Sequence, residues 1–283
     1  MAKVLVAGGT GTVGRDVVGG LLARGHEPRV LARDPEKARG VLGTSVAIVK
    51  GDLTDPASLT KAMKGVEVGY VATTPGVGLA EQENNFIEAA RAAKLRRVVK
   101  LSGYGVREAP DRIHQEHAIS EQRTRGSGLD YVILQPVMFM TNLSWEAASI
   151  KEGTIASTFG DGRMSFVDPR DVAELAVVAL TASDLRNAEW EFGGPEPLSY
   201  DDVAATFSRV LDRPIQHVRL DLDVFRREAK LPEIVIEAIT ASGELARRGK
   251  YEVSDDVVRK QLGRRARSLE SWIKENRALF AKG

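Results

Sequence analysis

Three groups of residues in this chain have types and spacings suited to chemistry. The first is a glycine run, Gly8, Gly9, Gly11 and Gly14, inside KVLVAGGTGTVG at 3–14. Glycines so placed let backbone N–H groups converge, and a helix beginning behind them adds the positive end of its dipole, so the point attracts phosphate. Gly9-x-Gly11-x-x-Gly14 fits the dinucleotide fingerprint, and the turn is expected to hold the pyrophosphate of a nicotinamide dinucleotide. The second group is Arg33, with Lys37 one helical turn further on. A cation here suits a ribose 2′-phosphate, whereas an NAD site carries an acid for the ribose hydroxyls. A guanidinium–phosphate contact is worth about 1.5–3 kcal/mol, so NADP(H) is expected over NAD(H). Asp34, next along the chain, offers the opposite choice. The third group is His117 with Glu121 at i+4 and His114 one turn before, which share a helix face. A carboxylate beside imidazole holds its tautomer and favours its charged form, which makes His117 a candidate proton donor and Glu121 its partner. Tyr104, in the loop SGYG, is the other candidate donor. The plainer reading of His117 and Glu121 is an exposed helical pair worth about 0.3–0.5 kcal/mol.

Such groups need a scaffold that brings them to one edge. Val4 to Ala7 is a short apolar run, as expected of a strand buried on both faces. A helix over 12–24 follows, with Val17, Val18, Leu21 and Leu22 at helical spacing and Gly25 closing it. Further strands are expected at 28–32, 46–50, 66–72, 98–101 and 131–134, and helices from 35, from 55, over 83–93 and over 111–125. Strict alternation of this kind implies an α/β fold, a doubly wound parallel Rossmann sheet with right-handed crossovers. Its ligands lie at the carboxyl ends of the strands, where the glycine turn, Arg33 and Tyr104 all fall. Beyond Pro136 the rhythm breaks. A helix over 138–150, a short strand within 153–162, a helix over 168–180, a strand at 190–192, a helix over 199–211, a strand over 215–219 and three terminal helices are expected. The layout is a nucleotide domain, 1–142 plus about 165–194, and a smaller, mostly helical C-terminal substrate lobe, about 143–164 and 195–283, with a cleft between them.

Bulk properties narrow the classes. A chain of 283 residues buries a substantial core, and 40 basic against 39 acidic residues leave a formal charge of +1. So even a balance argues against a surface-wide field for nucleic acid or anionic membrane. Arg247, Arg248, Lys250, Arg264, Arg265 and Arg267 cluster late, but acids interleave them and no stacking aromatics accompany them, which reads as a solvated helical face. With no cysteine, disulfides, thiolate nucleophiles and Cys-ligated metals are excluded. No secretory signal is visible and no apolar run is long enough to span a bilayer, so a cytoplasmic protein is expected, with no metal.

The chain resembles the atypical short-chain dehydrogenase/reductases, in the NmrA-like branch that also holds quinone and triphenylmethane reductases. The residues that carry the resemblance are AGGTGTVG at 7–14, LARDPEK at 31–37, GDLTDPASL at 51–59 and LSGYG at 101–105. HAISEQRTRGSGLDYVILQP at 117–136, FVDPRDVAELA at 166–176 and FGGPEPLSYDDVA at 192–204 extend it. The resemblance implies that Asp52 and Leu53 flank the adenine and that Ala72, Thr73 and Thr74 line the adenosine side. It places Met138, Phe139 and Asn142 toward the nicotinamide and a small-molecule substrate. Gly8, Thr10, Gly11, Thr12, Val13 and Gly14, with Ser102 and Pro136 at later strand ends, complete the expected cofactor contacts. The Tyr-x-x-x-Lys pair of the catalytic branch would fall at Ile113 and His117, so it is absent, and alcohol chemistry by that route is excluded. Two functions follow. One is hydride transfer from NADPH to a quinone-like or other flat electrophile. The other is a non-catalytic NAD(P)-sensing regulator, which calls for a protein partner. Either is compatible with a monomer or homodimer.

Overall fold

Alternation of apolar runs with amphipathic segments does produce strands and helices in turn. In a computed structural model, which describes residues 2–281, the first half of the chain runs β1 (Lys3–Ala7), α1 (Thr12–Ala23), β2 (Glu27–Ala32), α2 (Pro35–Leu42), β3 (Ala47–Lys50) and α3 (Pro56–Ala62). It continues β4 (Val68–Val71), α4 (Leu79–Ala92), β5 (Arg97–Leu101), α5 (Arg112–Arg125) and β6 (Asp130–Pro136). A 3₁₀ turn (Met140–Glu146) precedes α6 (Ala147–Glu152), β7 (Thr154–Ser157), α7 (Pro169–Thr181), β8 (Ala188–Phe192), α8 (Tyr200–Leu211) and β9 (Gln216–Arg219). The remainder is helical: α9 (Leu222–Glu228), α10 (Glu233–Arg247), α11 (Asp256–Leu262), α12 (Leu269–Glu275) and α13 (Arg277–Phe280).

The contacts divide the described chain into two compact units. The first comprises 2–103, 116–135 and 172–190, the second 104–115, 136–171 and 191–281. Residues 104–115, 136–142, 165–171 and 191–194, expected with the nucleotide domain, fall in the second unit. For 136–142 and 165–171 the reason is backbone pairing: Met140 N–H donates to Val167 O and Val167 N–H to Met138 O.

The first unit is built on a seven-stranded sheet of order β3-β2-β1-β4-β5-β6-β8. β1 pairs in parallel with β2 on one side and β4 on the other, with Val6 opposite both Val30 and Tyr70. The order therefore reverses at β1, and this switch point is where such sheets bind ligands. Val4, Leu5, Val6, Val68, Tyr70, Val71 and Val99 are essentially inaccessible, which is why these strands read as continuous apolar runs. α2 and α3 start alike: Asp34 and Asp55 accept from the second and third N–H of their helices and a proline occupies the first turn. α4 begins four residues before the expected position. Its capping carboxylate is not local: Ala80 N–H donates to Glu116 on α5 at 2.8 Å.

The second unit pairs β7 with β9 in parallel and packs helices over them. Its core includes Phe207, Phe280, Trp272, Ile273 and Leu245. Phe280 sits edge-on to Phe207 and Trp272 at centroid distances of 4.9 and 5.9 Å. Five helical segments follow β9 where three are expected. Three of them run only seven residues, and two of these, α9 and α12, are set by their caps, Asp221 and Ser268, rather than by a periodic apolar face. The expected helix over 138–150 is a 3₁₀ turn that passes into α6. The late arginines are tethers: Arg264 and Arg267 bind the fully buried Asp171, and Arg265 approaches Asp255 at 3.5 Å. Among the described residues, no helix is long and apolar enough to cross a membrane.

Candidate active site

The glycine turn is shaped by contacts that admit no side chain. Gly8 has φ +83°, and a Cβ there would lie 2.3 Å from the carbonyl oxygen of Ala72. A Cβ on Gly14 would lie 2.1 Å from Gly8 O, so α1 starts in direct contact with the turn. Gly11 N–H donates to Gly8 O at 3.0 Å and closes it. α1 has Gly11 as its N-cap, with no side-chain cap and no acid in its first turn. The N–H groups and dipole of the helix start are thus left to an outside anion, and Thr10, Thr12 and Val13 supply the neighbouring backbone. Thr10 and Thr12 are exposed and Val13 is buried in the sheet-facing side. The turn fits a pyrophosphate.

The ends of β2, β3 and β4 carry the other residues expected to contact the nucleotide. Arg33 and Lys37 are both exposed. Asp34 is not available to a ribose through its Oδ1, which accepts from Glu36 N–H and Lys37 N–H, both at 3.1 Å. Asp52 Oδ1 accepts from the backbone N–H and hydroxyl of Thr54, each at 2.9 Å. The Thr54 N–H, more than its partial burial opposes, holds the Asp52 carboxyl below its usual range, and the nearby Arg33 charge adds to this. Leu53 offers its carbonyl to Asn85 Nδ2 at 3.0 Å. Ala72 and Thr73 are half-buried and Thr74 is exposed.

Behind Thr73 lies a buried polar cluster. Thr73 Oγ1 donates to Glu83 Oε1 at 2.9 Å, and Ser120 Oγ donates to Glu83 Oε2. Lys100 Nζ, from the middle of β5, meets that same Oε2 at 2.9 Å and faces His117 Nδ1 at 3.4 Å. Glu121, one turn beyond His117, accepts from Ser102 Oγ and Gln135 Nε2, both at 2.8 Å, and from Arg125 at 2.7 Å. The group found at Nδ1 of His117 is therefore a lysine, where the helical spacing pointed to Glu121. Lys100, Glu83 and Ser120 are not identifiable as site residues from sequence. The one signal is a lysine inside VVKL, an otherwise apolar central strand.

The other expected residues lie in the second unit. Pro136 is buried and its carbonyl accepts from Tyr104 N–H at 2.9 Å. Tyr104 is half-buried and edge-on to Tyr251 at 6.0 Å. Burial, with Glu191 and Glu108 nearby, pushes its phenol up, so it gives its proton less readily. Met138 and Phe139 are half-buried, and Asn142 Nδ2 reaches Met138 Sδ at 2.9 Å. His114 is engaged by Asp111 at 2.6 Å.

A family model described as NAD(P)H-binding matches residues 8–183. The chain belongs to the NAD(P)H-binding family. It is 37% identical over 283 residues to (4-alkanoyl-5-oxo-2,5-dihydrofuran-3-yl)methyl phosphate reductase of Streptomyces griseus, covering 98% of this chain and 99% of that one. It is 32% identical, at the same coverage, to an NAD(P)H azoreductase of Xenophilus azovorans. The fold matches that of an NADPH-dependent quinone oxidoreductase from Escherichia coli complexed with NADPH, at a TM-score of 0.88 and 22% identity. That match covers 96% of this chain and 99% of the other. The protein is accordingly an NAD(P)H-dependent oxidoreductase, and the resemblance to atypical short-chain dehydrogenase/reductases holds at the level of fold and family.

Proposed function

We propose that this protein uses NADPH, in preference to NADH, to reduce a flat conjugated small molecule of the quinone, azo or acyl-dihydrofuranone kind. The observation that carries the cofactor preference is the pair of exposed cations, Arg33 at the end of β2 and Lys37 in α2, beside an Asp34 whose Oδ1 is engaged in capping that helix. The substrate class rests on the two relatives of full-length similarity, whose named substrates are an acyl-dihydrofuranone phosphate and, for the azoreductase, an azo compound. When bound, the dihydronicotinamide supplies a hydride. The chain's own residues hold the pyrophosphate on the Gly8–Gly14 turn, the 2′-phosphate at Arg33 and Lys37, and the adenosine along Asp52, Leu53 and Ala72–Thr74.

Hydride addition to a conjugated electrophile leaves negative charge on oxygen or nitrogen, and a polar hydrogen must meet it. His117 is the residue we assign to this; Ser102 and Pro136 are assigned to the cofactor, and Met138, Phe139 and Asn142 to the substrate. Tyr104 is the poorer donor because burial and two carboxylates hold its proton. Ile113, in place of the usual tyrosine, offers none. Reduced pyridine nucleotide is a cytoplasmic pool, and we place the enzyme there, acting as a monomer or homodimer.

The test follows NADPH absorbance with a panel of quinones, azo dyes and acyl-dihydrofuranones. Oxidation by at least one class, faster than with NADH, is expected. Tight NADPH binding with no oxidation above background refutes the reading. General acid and hydrogen-bond assistance is worth about 10²–10⁴ in rate, so His117→Ala lowers turnover at least tenfold. Unchanged turnover removes His117 from the chemistry.

A further inference from the structure

Lys100 and Glu83 form an ion pair with no solvent exposure on either side chain. Such a pair is costly to bury and adds no stability over two apolar residues of similar volume. What distinguishes it is that it is fully engaged. An ammonium has three protons, and Lys100 has three acceptors: Glu83 Oε2 at 2.9 Å, Leu101 O at 3.2 Å and His117 Nδ1 at 3.4 Å. Glu83 is held in turn by Ser120 on one oxygen and Thr73 on the other. The pair therefore bridges a residue of the expected adenosine loop, Thr73, and the candidate donor, His117.

The geometry has a chemical consequence. An ammonium can only donate, so the ring nitrogen that faces it must be an acceptor. Nδ1 of His117 then carries no proton, and the imidazole proton sits on Nε2. We propose that Lys100 and Glu83 are positioning residues that fix His117 as a neutral imidazole with its proton on Nε2, so that it meets the reduced substrate as a neutral N–H donor. This rests on the reading of His117 as the donor above. The final proton comes from solvent: substrate, one hydride and one proton give the reduced product and oxidised nucleotide, and no protein group changes its charge. Among the charged and titratable groups here, Lys100 on β5 faces the ring, Glu83 on α4 pairs with Lys100, Tyr70 on β4 lies near Glu83, and Glu121 stands one turn along α5. Tyr70 is kept protonated by burial, and Glu121 is saturated by Ser102, Gln135 and Arg125.

The test is an imidazole ¹H–¹⁵N correlation spectrum of the ¹⁵N-labelled full chain, with and without NADP⁺, with His117 assigned by its loss in His117→Gln. Expected is an unprotonated Nδ1 and a protonated Nε2, unchanged between about pH 8 and about pH 5.5, through the ordinary histidine range near 6.5. A proton on Nδ1, or an imidazolium appearing in that range, overturns the proposal. The double variant Lys100→Met/Glu83→Leu removes both charges while keeping volume. In it His117 becomes titratable in the same spectrum, and turnover gains a pH dependence of about threefold or more across this range that the native enzyme lacks. If His117 stays neutral and the profile flat in the double variant, the pair is structural only and the proposal fails. Failure of the underlying reading looks different: His117→Ala then turns over at the native rate while the native spectrum still shows the Nε2–H form.

Discussion

Replacing Arg33 by serine tests the contact proposed to set cofactor choice. The side chain is exposed at the end of β2, so its loss removes no core packing. What it removes is a guanidinium partner for a 2′-phosphate, worth about 1.5–3 kcal/mol in general and near the lower end of that range for a solvent-screened site. At about 1.4 kcal/mol per factor of ten, NADPH affinity falls roughly ten- to thirtyfold, while NADH affinity stays within about twofold. The proposed preference for NADPH is also expected to shrink as salt rises, because Arg33 is exposed. Fluorescence titration of each reduced nucleotide against wild type and Arg33→Ser, at low and high salt, measures all of this. The companion variant is Asp34→Ala. Asp34 accepts from Glu36 and Lys37 N–H, so its loss lowers stability by about 1 kcal/mol in a denaturant melt and leaves NADH affinity unchanged. The reasoning is refuted if Arg33→Ser binds NADPH within about threefold of wild type, or if Asp34→Ala selectively weakens NADH.

Three further outcomes are expected. Arg97, fully buried on β5, donates to Ala179 O at 2.8 Å, to Ala182 O at 2.9 Å and to Leu185 O around the end of α7. Arg97→Leu strips this donor from Ala179 O and Leu185 O, while Ala182 O keeps Arg96, and costs about 3 kcal/mol or more in a urea melt; a loss below about 1 kcal/mol contradicts this account. Burial pushes the Tyr251 phenol up to about 12 against its Ser242 bond, with Asp111 among the nearby charges. The folded state favours the protonated phenol, so this contribution is complete below pH 10 and is lost as pH rises from about 10 to about 12. It amounts to about 2–3 kcal/mol, and Tyr251→Phe removes that decline from the stability–pH curve. Finally, Gly14→Ala drives a Cβ into the backbone of Gly8 and weakens both nucleotides at least tenfold, whereas Gly19, exposed on the same helix with open space at its Cβ, gains about 0.5–1 kcal/mol of stability on Gly19→Ala with binding unchanged. Equal effects of the two alanines on binding contradict the assigned turn.

The nucleotide half was legible because its signals are local. An apolar run, a glycine spacing and a helix start lie within residues 3–24, and the same grammar repeats through β6. Asp34-Pro35 and Asp55-Pro56 announce helix starts in the same way, since cap and proline act on their own backbone. Where the stabilising partner is distant the reading slips. α4 starts at Leu79 because Glu116 caps it from another helix, and nothing near Leu79 in the chain says so. The short helices after β9 are set by tertiary packing over one or two turns, too few for a period to show.

The catalytic side failed to read for a related reason. Helical spacing correctly put His117 and Glu121 on neighbouring positions of α5, yet neighbours on a helix meet different depths of the sheet. Glu121 meets Ser102 and Gln135 at the ends of β5 and β6, while His117 meets Lys100, two residues before Ser102 and inside β5. A charge inside a buried strand marks that something must answer it, and Lys100 could have been singled out on that ground alone. Its partner could not, because Glu83 stands seventeen residues away on a helix whose register was itself uncertain from sequence. The consequence reaches the chemistry. With Glu121 behind it, His117 would be an imidazolium acid whose strength follows pH; with Lys100 at its Nδ1, it would be a neutral N–H donor. The same two letters of sequence thus support opposite protonation states, and only the identity of the third residue decides between them.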